Sequence, residues 1–375
     1  AGLASALRPP RIGGMHPLPS DVRQLRLLLN GLTGLGPVSA RRLQEAFDGD
    51  LHRALSADSK ALQKVKGLTA PMVASLLRRD FDYAAELERA NTLNFRVLHD
   101  GDAIWPASLR QLWDAPLVLY MEGAAVPDER AVAIIGSRHC TPYGAGLARS
   151  LARDLAKLGW WIVSGLARGI DFAAHEGALE AEGRTAAILG HGLDLTYPPE
   201  AFKLRQRMIE RGCVLAEFPL GRPADRQSFP QRNRIVAGLA QAVIVVETDV
   251  DGGSMITARF AGEQGKTLCA LPGRVDSPTS RGCHALIRDG ATLVSSLDDI
   301  LAELGEARGQ LTLPLEKLDA ADARWLKHFG GGTAHHSESL AQLTQCSQAE
   351  AAVALTMLEI KGHLLRRSDG RHERV

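Results

Sequence analysis

Ala131-Val-Ala-Ile-Ile135-Gly136-Ser137-Arg138, followed after a helix-length run by Trp160-Trp-Ile-Val-Ser164-Gly165-Leu-Ala-Arg168-Gly169-Ile-Asp171, decides the fold. It reads strand, glycine turn, helix, strand, glycine turn. The two strands are short apolar runs without polar alternation, the pattern of a parallel sheet covered on both faces. In such sheets ligands bind beyond the carboxyl ends of the strands. An arginine at each of two such ends, Arg138 and Arg168, points to an anionic ligand, most simply phosphate.

The same alternation runs outward over 131–300, with candidate strands at 131–135, 160–164, 185–189, 213–218, 242–247, 267–271 and 291–294. A doubly wound, mostly parallel α/β sheet is expected. Residues 91–130 connect it to what precedes, with short strands near 95–98 and 117–120 among structural Trp and Pro. Residues 21–90 read as helices. Val22, Leu25, Leu28 and Leu29 share a face, and Gly34-Leu35-Gly36-Pro37 resembles the turn of a helix-hairpin-helix, with a weaker copy at Gly67. Such turns can offer amides to phosphate, or the hairpins can simply pack as a bundle for protein contact. Residues 1–20 are expected to be a disordered leader, in which Met15 could be a native start, and 305–314 a linker.

Residues 315–375 predict three helices, at 321–329, 337–345 and 347–360, then a hairpin of 363–367 and 371–375, a winged-helix-like unit. Ser337 and Ser347 are expected as N-caps, Ser347 with Glu350 in a capping box, and Gly362 as the stop of the third helix. That helix is rich in Ala and carries one base, Lys361, so protein contact stands beside groove binding as its reading.

Composition narrows the function. Net charge is +1 over 375 residues, but residues 1–80 hold 12 Lys and Arg against 6 Asp and Glu. That local surplus suits either an anionic partner or a solvated helical surface. The five cysteines, Cys140, Cys213, Cys269, Cys283 and Cys346, are scattered and form no metal-spaced cluster, as in a reduced cytoplasmic protein without structural metal. No apolar run reaches membrane-spanning length, so no membrane insertion is expected. Neither G-x-G-x-x-G nor G-x-x-x-x-G-K-[ST] occurs, and no cofactor is expected.

Five loops carry the candidate chemistry. Gly136, Ser137 and Arg138 form the first, and Gly165, Arg168 and Gly169 the second. Asp171 and His175 could pair as acid and base, or Asp171 could cap the helix while His175 packs. His191 and Gly192 sit in Gly190-His-Gly-Leu-Asp194-Leu-Thr-Tyr197-Pro198, where Asp194 is expected to tie the turn together. Phe229, Arg232, Asn233 and Arg234 open a helix. Phe229 could stack on a base or pack in the core, and at least one of these arginines should be structural. Gly252, Gly253 and Ser254 start another helix as a backbone-rich anion site. Arginines and glycines on one sheet edge, without a usefully spaced carboxylate pair or Ser/His/Asp set, argue for binding a phosphate-rich polymer over catalysis.

These motifs, with Phe229-Pro-x-Arg-Asn-Arg-Ile235, Gly252-Gly-Ser-Met-Ile-Thr-Ala258 and Leu271-Pro-Gly273, resemble the DprA (Smf) family of DNA-processing proteins over roughly 131–295. The resemblance implies an N-terminal sterile-alpha-motif-like domain, an extended Rossmann-like domain over 91–304 and a C-terminal winged helix. It also implies a non-enzymatic protein that binds and protects single-stranded DNA in natural transformation, loads the recombinase RecA onto it and forms a homodimer through the Rossmann-like domain. A single-strand-binding protein is a further expected partner. By family pattern Arg138 and Arg168 hold DNA phosphates, Arg168 standing where the family often has Lys, and His191 where it more often has Asn, Ser or Thr. Two other classes remain: a nucleotide phosphoribohydrolase-like enzyme, loosely echoed by Gly252-Gly253 with Glu247 or Glu263, and a recombination scaffold that does not bind DNA.

Overall fold

In the computed structural model, the described residues are 17–128, 130–306, 320–329, 333–361, 363–367 and 370–374. They belong to two compact units that divide between residues 307 and 308. The first is built on a nine-stranded sheet. Its strands are β1 (Arg96–Leu98), β2 (Leu119–Gly123), β3 (Ala131–Ile135), β4 (Trp161–Ser164), β5 (Thr185–Leu189), β6 (Cys213–Ala216), β7 (Ala242–Val245), β8 (Thr267–Ala270) and β9 (Thr292–Leu293). Their order is β1-β2-β6-β5-β4-β3-β7-β8-β9. The strands from β3 to β9 are mutually parallel, and β1 and β2 add an antiparallel edge. The sequence reading of a doubly wound, mostly parallel, Rossmann-like sheet therefore holds.

Alternation along each strand feeds two apolar layers. Ala131, Ala133 and Ile135 of β3 face the helices Ser228–Leu239, Gly253–Glu263 and Pro278–Arg288. Val132 and Ile134 face Pro142–Lys157, Ile170–Glu180 and Leu297–Glu303. Both faces are covered, which is why the strands lack polar alternation. The helix Pro142–Lys157 starts at Thr141, whose hydroxyl accepts from Gly144 N at 3.0 Å, with Pro142 in the first turn. Ala148, Leu151, Ala152 and Leu155 then recur on its buried side.

Among the described residues six helices precede the sheet: Val22–Gly31, Pro37–Ala46, Leu51–Ser56, Ser59–Gln63, Ala70–Arg78 and Tyr83–Thr92. Gly34 takes φ +82° and Gly67 φ +86°, conformations that favour glycine, at the turns leading into Pro37–Ala46 and Ala70–Arg78. These are the two expected hairpins. Leu25, Leu28, Leu43, Leu62 and Leu76 share one cluster. Val22, expected on that buried face, is exposed instead, and Leu27 is buried. The first helix is covered on two sides, because Leu27 packs with Ala90, Tyr120 and Leu189 on the sheet side. The helical front thus belongs to the same compact unit as the sheet. Glu86 reinforces the join, accepting from Tyr120 Oη and from Leu220 N, each at 2.7 Å. Residues 17–20, expected to be disordered, also pack: Leu18 lies against the helical cluster and Pro19 is buried.

The second unit has helices Ala320–Leu326, Ser337–Thr344 and Gln348–Ile360 and a three-stranded antiparallel sheet. Its strands are β10 (Ala334–His335), β11 (Leu364–Arg366) and β12 (His372–Arg374), in the order β10-β12-β11. The expected hairpin is β11–β12, and β10 was not foreseen. Ser347 caps its helix in a capping box with Glu350, as read from the sequence. Ser337 is instead the first helical residue, with His336 at the cap. The leader residues 1–16 with Met15, the linker residues 307–314, the helix stop at Gly362 and the turn residues 368–369 lie outside the described residues.

Candidate nucleic-acid interface

Strand order reverses direction between β3 and β7, so the connections leaving these neighbours run to opposite sides and open a crevice at their carboxyl ends. There the loops after β3, β4 and β7 and the start of the helix Ser228–Leu239 enclose a cleft of about 430 Å³. It is lined by Gly136, Ser137, Arg138, Gly165, Phe229, Arg232, Asn233, Gly252, Gly253 and Ser254, ten of the candidate residues. A smaller recess adjoins it, lined by Arg168, His191 and Tyr197 and again by Arg138 and Phe229. Gly169, Gly192 and Arg234 line neither.

Packing sets the positions of the loops. A Cβ on Gly136 would lie 2.6 Å from Ile170 Cγ1 and 2.8 Å from Glu247 O, so glycine here permits contact between loops. Several of the amides expected to cradle phosphate are engaged within the protein. Ser137 N donates to Glu247 O at 2.6 Å, and Gly165 N and Ala167 N donate to Asp171 Oδ2 at 3.1 and 3.3 Å. Gly252 N donates to Asp249 O at 3.0 Å, and Ser254 Oγ to Thr248 Oγ1 at 2.7 Å.

Arg138 is exposed, and its guanidinium lies 5.0 Å from the Phe229 ring centroid. Among the described residues no carboxylate forms an ion pair with it. The Phe229 ring in turn lies 5.9 Å from that of Tyr197, tilted by 42°, and Tyr197 is exposed. Arg226, which the sequence reading did not single out, is a second exposed cation on the cleft without an ion pair among the described residues. Its signal was its place three residues before Phe229, in a loop without motif glycines.

The arginines of the fourth loop differ. Arg232 is buried beneath the cleft, donating to Gly165 O at 2.5 Å, to Ile188 O and to Asn233 Oδ1 at 3.1 Å. Burial works against its charge, and Asp171 beside it offsets that. Arg232 is a floor strut that reaches the cleft, with Nε and Nη1 engaged by protein. Arg234, expected at the interface, lies in the core, paired with Glu217 and with Asp114 at 3.5 Å. It is the structural arginine of the motif. Asn233 borders the cleft with its amide nitrogen 3.4 Å from Gly253 O.

Two more expected contacts turn inward. His191 is only 2% exposed, and its Nδ1 meets Gly192 O at 3.0 Å. Burial pushes its pKa down, so it is a neutral interior group. Gly192 N donates to Arg222 O at 2.9 Å and is spent on the turn. Asp194 does tie that turn, accepting from Gly221 N at 2.7 Å and pairing with Arg89 at 2.5 Å. Arg168 is exposed but engaged by Glu200, whose two oxygens lie 2.8 and 3.0 Å from its Nη2.

Residues named for catalysis are engaged within the protein, and of them Asp171 lines the cleft. His175 Nδ1 meets Thr185 Oγ1 at 2.7 Å, and burial lowers its pKa to about 3, while Asp171 serves the loop amides. Glu247 accepts from Thr141 N at 2.8 Å and Thr141 Oγ1 at 2.6 Å, and Glu263 lies 3.6 Å from Arg259. Neither glutamate lines the cleft. All five cysteines are unpaired. Among the described residues no cluster of three or more His, Cys, Asp or Glu could hold a metal, and no helix is long and apolar enough to cross a membrane.

Similarity to known proteins follows the same stretch. Residues 96–305 match the family model described as DNA recombination-mediator protein A. Protein Smf of Synechocystis sp. is 37% identical over 279 residues, 72% of this chain and 70% of that protein. The protein named putative DNA processing protein DprA of Mycobacterium tuberculosis is 37% identical over 316 residues, 78% of this chain and 81% of its own. Among solved structures, DNA processing protein A from Streptococcus pneumoniae aligns with a TM-score of 0.64 at 33% identity, over 76% of this chain and 98% of that one. DNA processing protein A from Helicobacter pylori, solved for its single-stranded DNA binding mode, aligns with a TM-score of 0.51 at 34% identity, over 56% of this chain and 96% of its own.

Proposed function

The chain belongs to the DprA family of DNA recombination mediators, and from that premise we propose that it binds single-stranded DNA in the cleft between β3 and β7. The observation that carries this reading is Arg138: an exposed guanidinium without a carboxylate partner among the described residues, held over Phe229 at the mouth of the cleft. A guanidinium supplies a phosphate contact, and an aromatic face supplies base stacking that tolerates any sequence. Single strands are favoured over duplex because only an unpaired base can leave its neighbours to meet Phe229 or Tyr197. Arg226, which lines the same cleft, supplies a second phosphate contact.

In this reading the protein is a binding and delivery factor in the cytoplasm and carries out no catalysis. It shields the strand and hands it to RecA, acting as a homodimer, with a single-strand-binding protein as competitor for the same DNA. The engagement of Glu247 by Thr141 away from the cleft, and of Asp171 Oδ2 by two loop amides, supports binding over hydrolysis. A gel-shift with a labelled dT oligonucleotide, followed by recovery of the DNA, tests both halves. The expected result is a retained complex from which intact oligonucleotide is recovered. Absence of a shift, or release of free base from a nucleoside monophosphate by the same preparation, would overturn it. RecA delivery is tested by strand exchange on DNA precoated with single-strand-binding protein, which should accelerate when the chain is added.

A further inference from the structure

Arg168, which lines the recess beside the cleft, pairs with Glu200, 32 positions away. Both carboxylate oxygens lie on one guanidinium nitrogen, at 2.8 and 3.0 Å. The pair is open to solvent, with the side chains 52% and 59% exposed. Each partner favours the other's charged form, through the shared hydrogen bonds first. Glu200 stands at the cap position of the helix Ala201–Ile209 but makes no capping hydrogen bond with its side chain. Besides its own backbone amide, the partner its carboxylate holds is Arg168.

The location makes this pair more than a surface contact. Arg138 and Phe229 line both the cleft and the recess, and Arg168 and Tyr197 continue the lining beyond them. A strand leaving Arg138 along this aromatic rim would bring its next phosphate toward Arg168. There the carboxylate of Glu200 already holds the donor a phosphate oxygen would take. Exposed ion pairs are weak, so the carboxylate can be exchanged for another anion.

We propose that Glu200 is a built-in competitor for DNA phosphate: it covers Arg168 in the free protein and limits how far a bound strand engages the recess. The inference rests on the single-stranded DNA reading. The native chain then holds a strand mainly through Arg138 and Arg226, and Arg168 joins only when the carboxylate gives way. Glu200 thereby sets affinity and footprint below what the arginines alone would give, which suits a protein that must pass its strand on.

The test is anisotropy of a labelled dT oligonucleotide at several salt concentrations, with wild type, Glu200→Gln, Arg168→Ala and the double variant. Glu200→Gln should tighten binding by about two- to fivefold, the size of an exposed ion pair. It should steepen the plot of log K against log salt by about 0.7, one added phosphate contact. In the Arg168→Ala background the gain should vanish. An unchanged affinity and slope in Glu200→Gln would overturn the inference. So would a gain that persists without Arg168, since Glu200 would then be only a repulsive charge. Failure of the wild type to bind the oligonucleotide would overturn the DNA reading itself, and is distinct from equal binding by wild type and Glu200→Gln.

Discussion

Replacing Arg138 with alanine removes the group on which the DNA reading rests. The side chain is exposed and has no ion pair among the described residues, so folding stability should stay within about 0.5 kcal/mol of wild type. Binding should not. A charge-assisted hydrogen bond contributes roughly 1.5–3 kcal/mol, which corresponds to roughly 10- to 150-fold in affinity. The loss should be electrostatic in kind: the slope of log K against log salt should become shallower by about 0.7. Arg138→Lys should keep the slope and lose part of the affinity, because an ammonium neutralises a phosphate without the planar fork. Arg274→Ala is the control, an exposed arginine paired with Asp276 that lines neither the cleft nor the recess. Anisotropy titrations of a dT oligonucleotide at four or five salt concentrations read both quantities. Unchanged affinity and slope in Arg138→Ala would refute the reasoning, and a loss of affinity with an unchanged slope would refute the phosphate role in particular.

Other variants separate binding from folding. Phe229→Ala should weaken single-strand binding by about 1–3 kcal/mol and leave the salt slope unchanged, because stacking releases no counterions; the same titrations check it. Arg234→Ala should destabilise the fold by about 3–5 kcal/mol, read by denaturant melts, since it strands the buried Glu217 without its cation. His175, fully buried with its pKa lowered to about 3, binds fewer protons folded than unfolded. Its contribution is therefore full above the unfolded value near 6.5 and is lost as pH falls from there toward about 3, on the order of 4 kcal/mol in all. Denaturant melts of His175→Gln across that range should show a flatter acid limb than wild type.

Much of the sheet was legible because each parallel strand is an apolar run closed by a glycine or a polar turn. Ala131–Ile135 and Thr185–Leu189 match their expected limits, since burial on both faces leaves no ambiguity of period. Strand β10 was invisible because two residues carry no period. Leu27 lies off the face that Leu25, Leu28 and Leu29 share, and only the sheet packed against that side explains its burial. The cleft was half legible. Glycine-closed loops at strand ends marked the place, but local sequence cannot tell a free arginine from a spent one. Arg138 and Arg234 are the same residue type in neighbouring motifs. Arg234 is taken by Glu217, 17 residues away, and Arg168 by Glu200, 32 away. Those pairings arise from tertiary contact. Nor does local sequence show that Asp171 and the Glu247 carbonyl take the amides of Gly165, Ala167 and Ser137 inside the protein.

Photo-crosslinking tests the central claim most directly. A dT oligonucleotide carrying 5-iodouracil, irradiated in complex with the full chain and mapped by peptide mass spectrometry, reports which side chains lie against the bases. The account predicts adducts at Phe229 or Tyr197, lost when excess unlabelled single strand is added. Adducts confined to the exposed Lys60, Lys64 and Lys66 of the helical front, or to the C-terminal unit, would contradict it and move the DNA site away from the sheet.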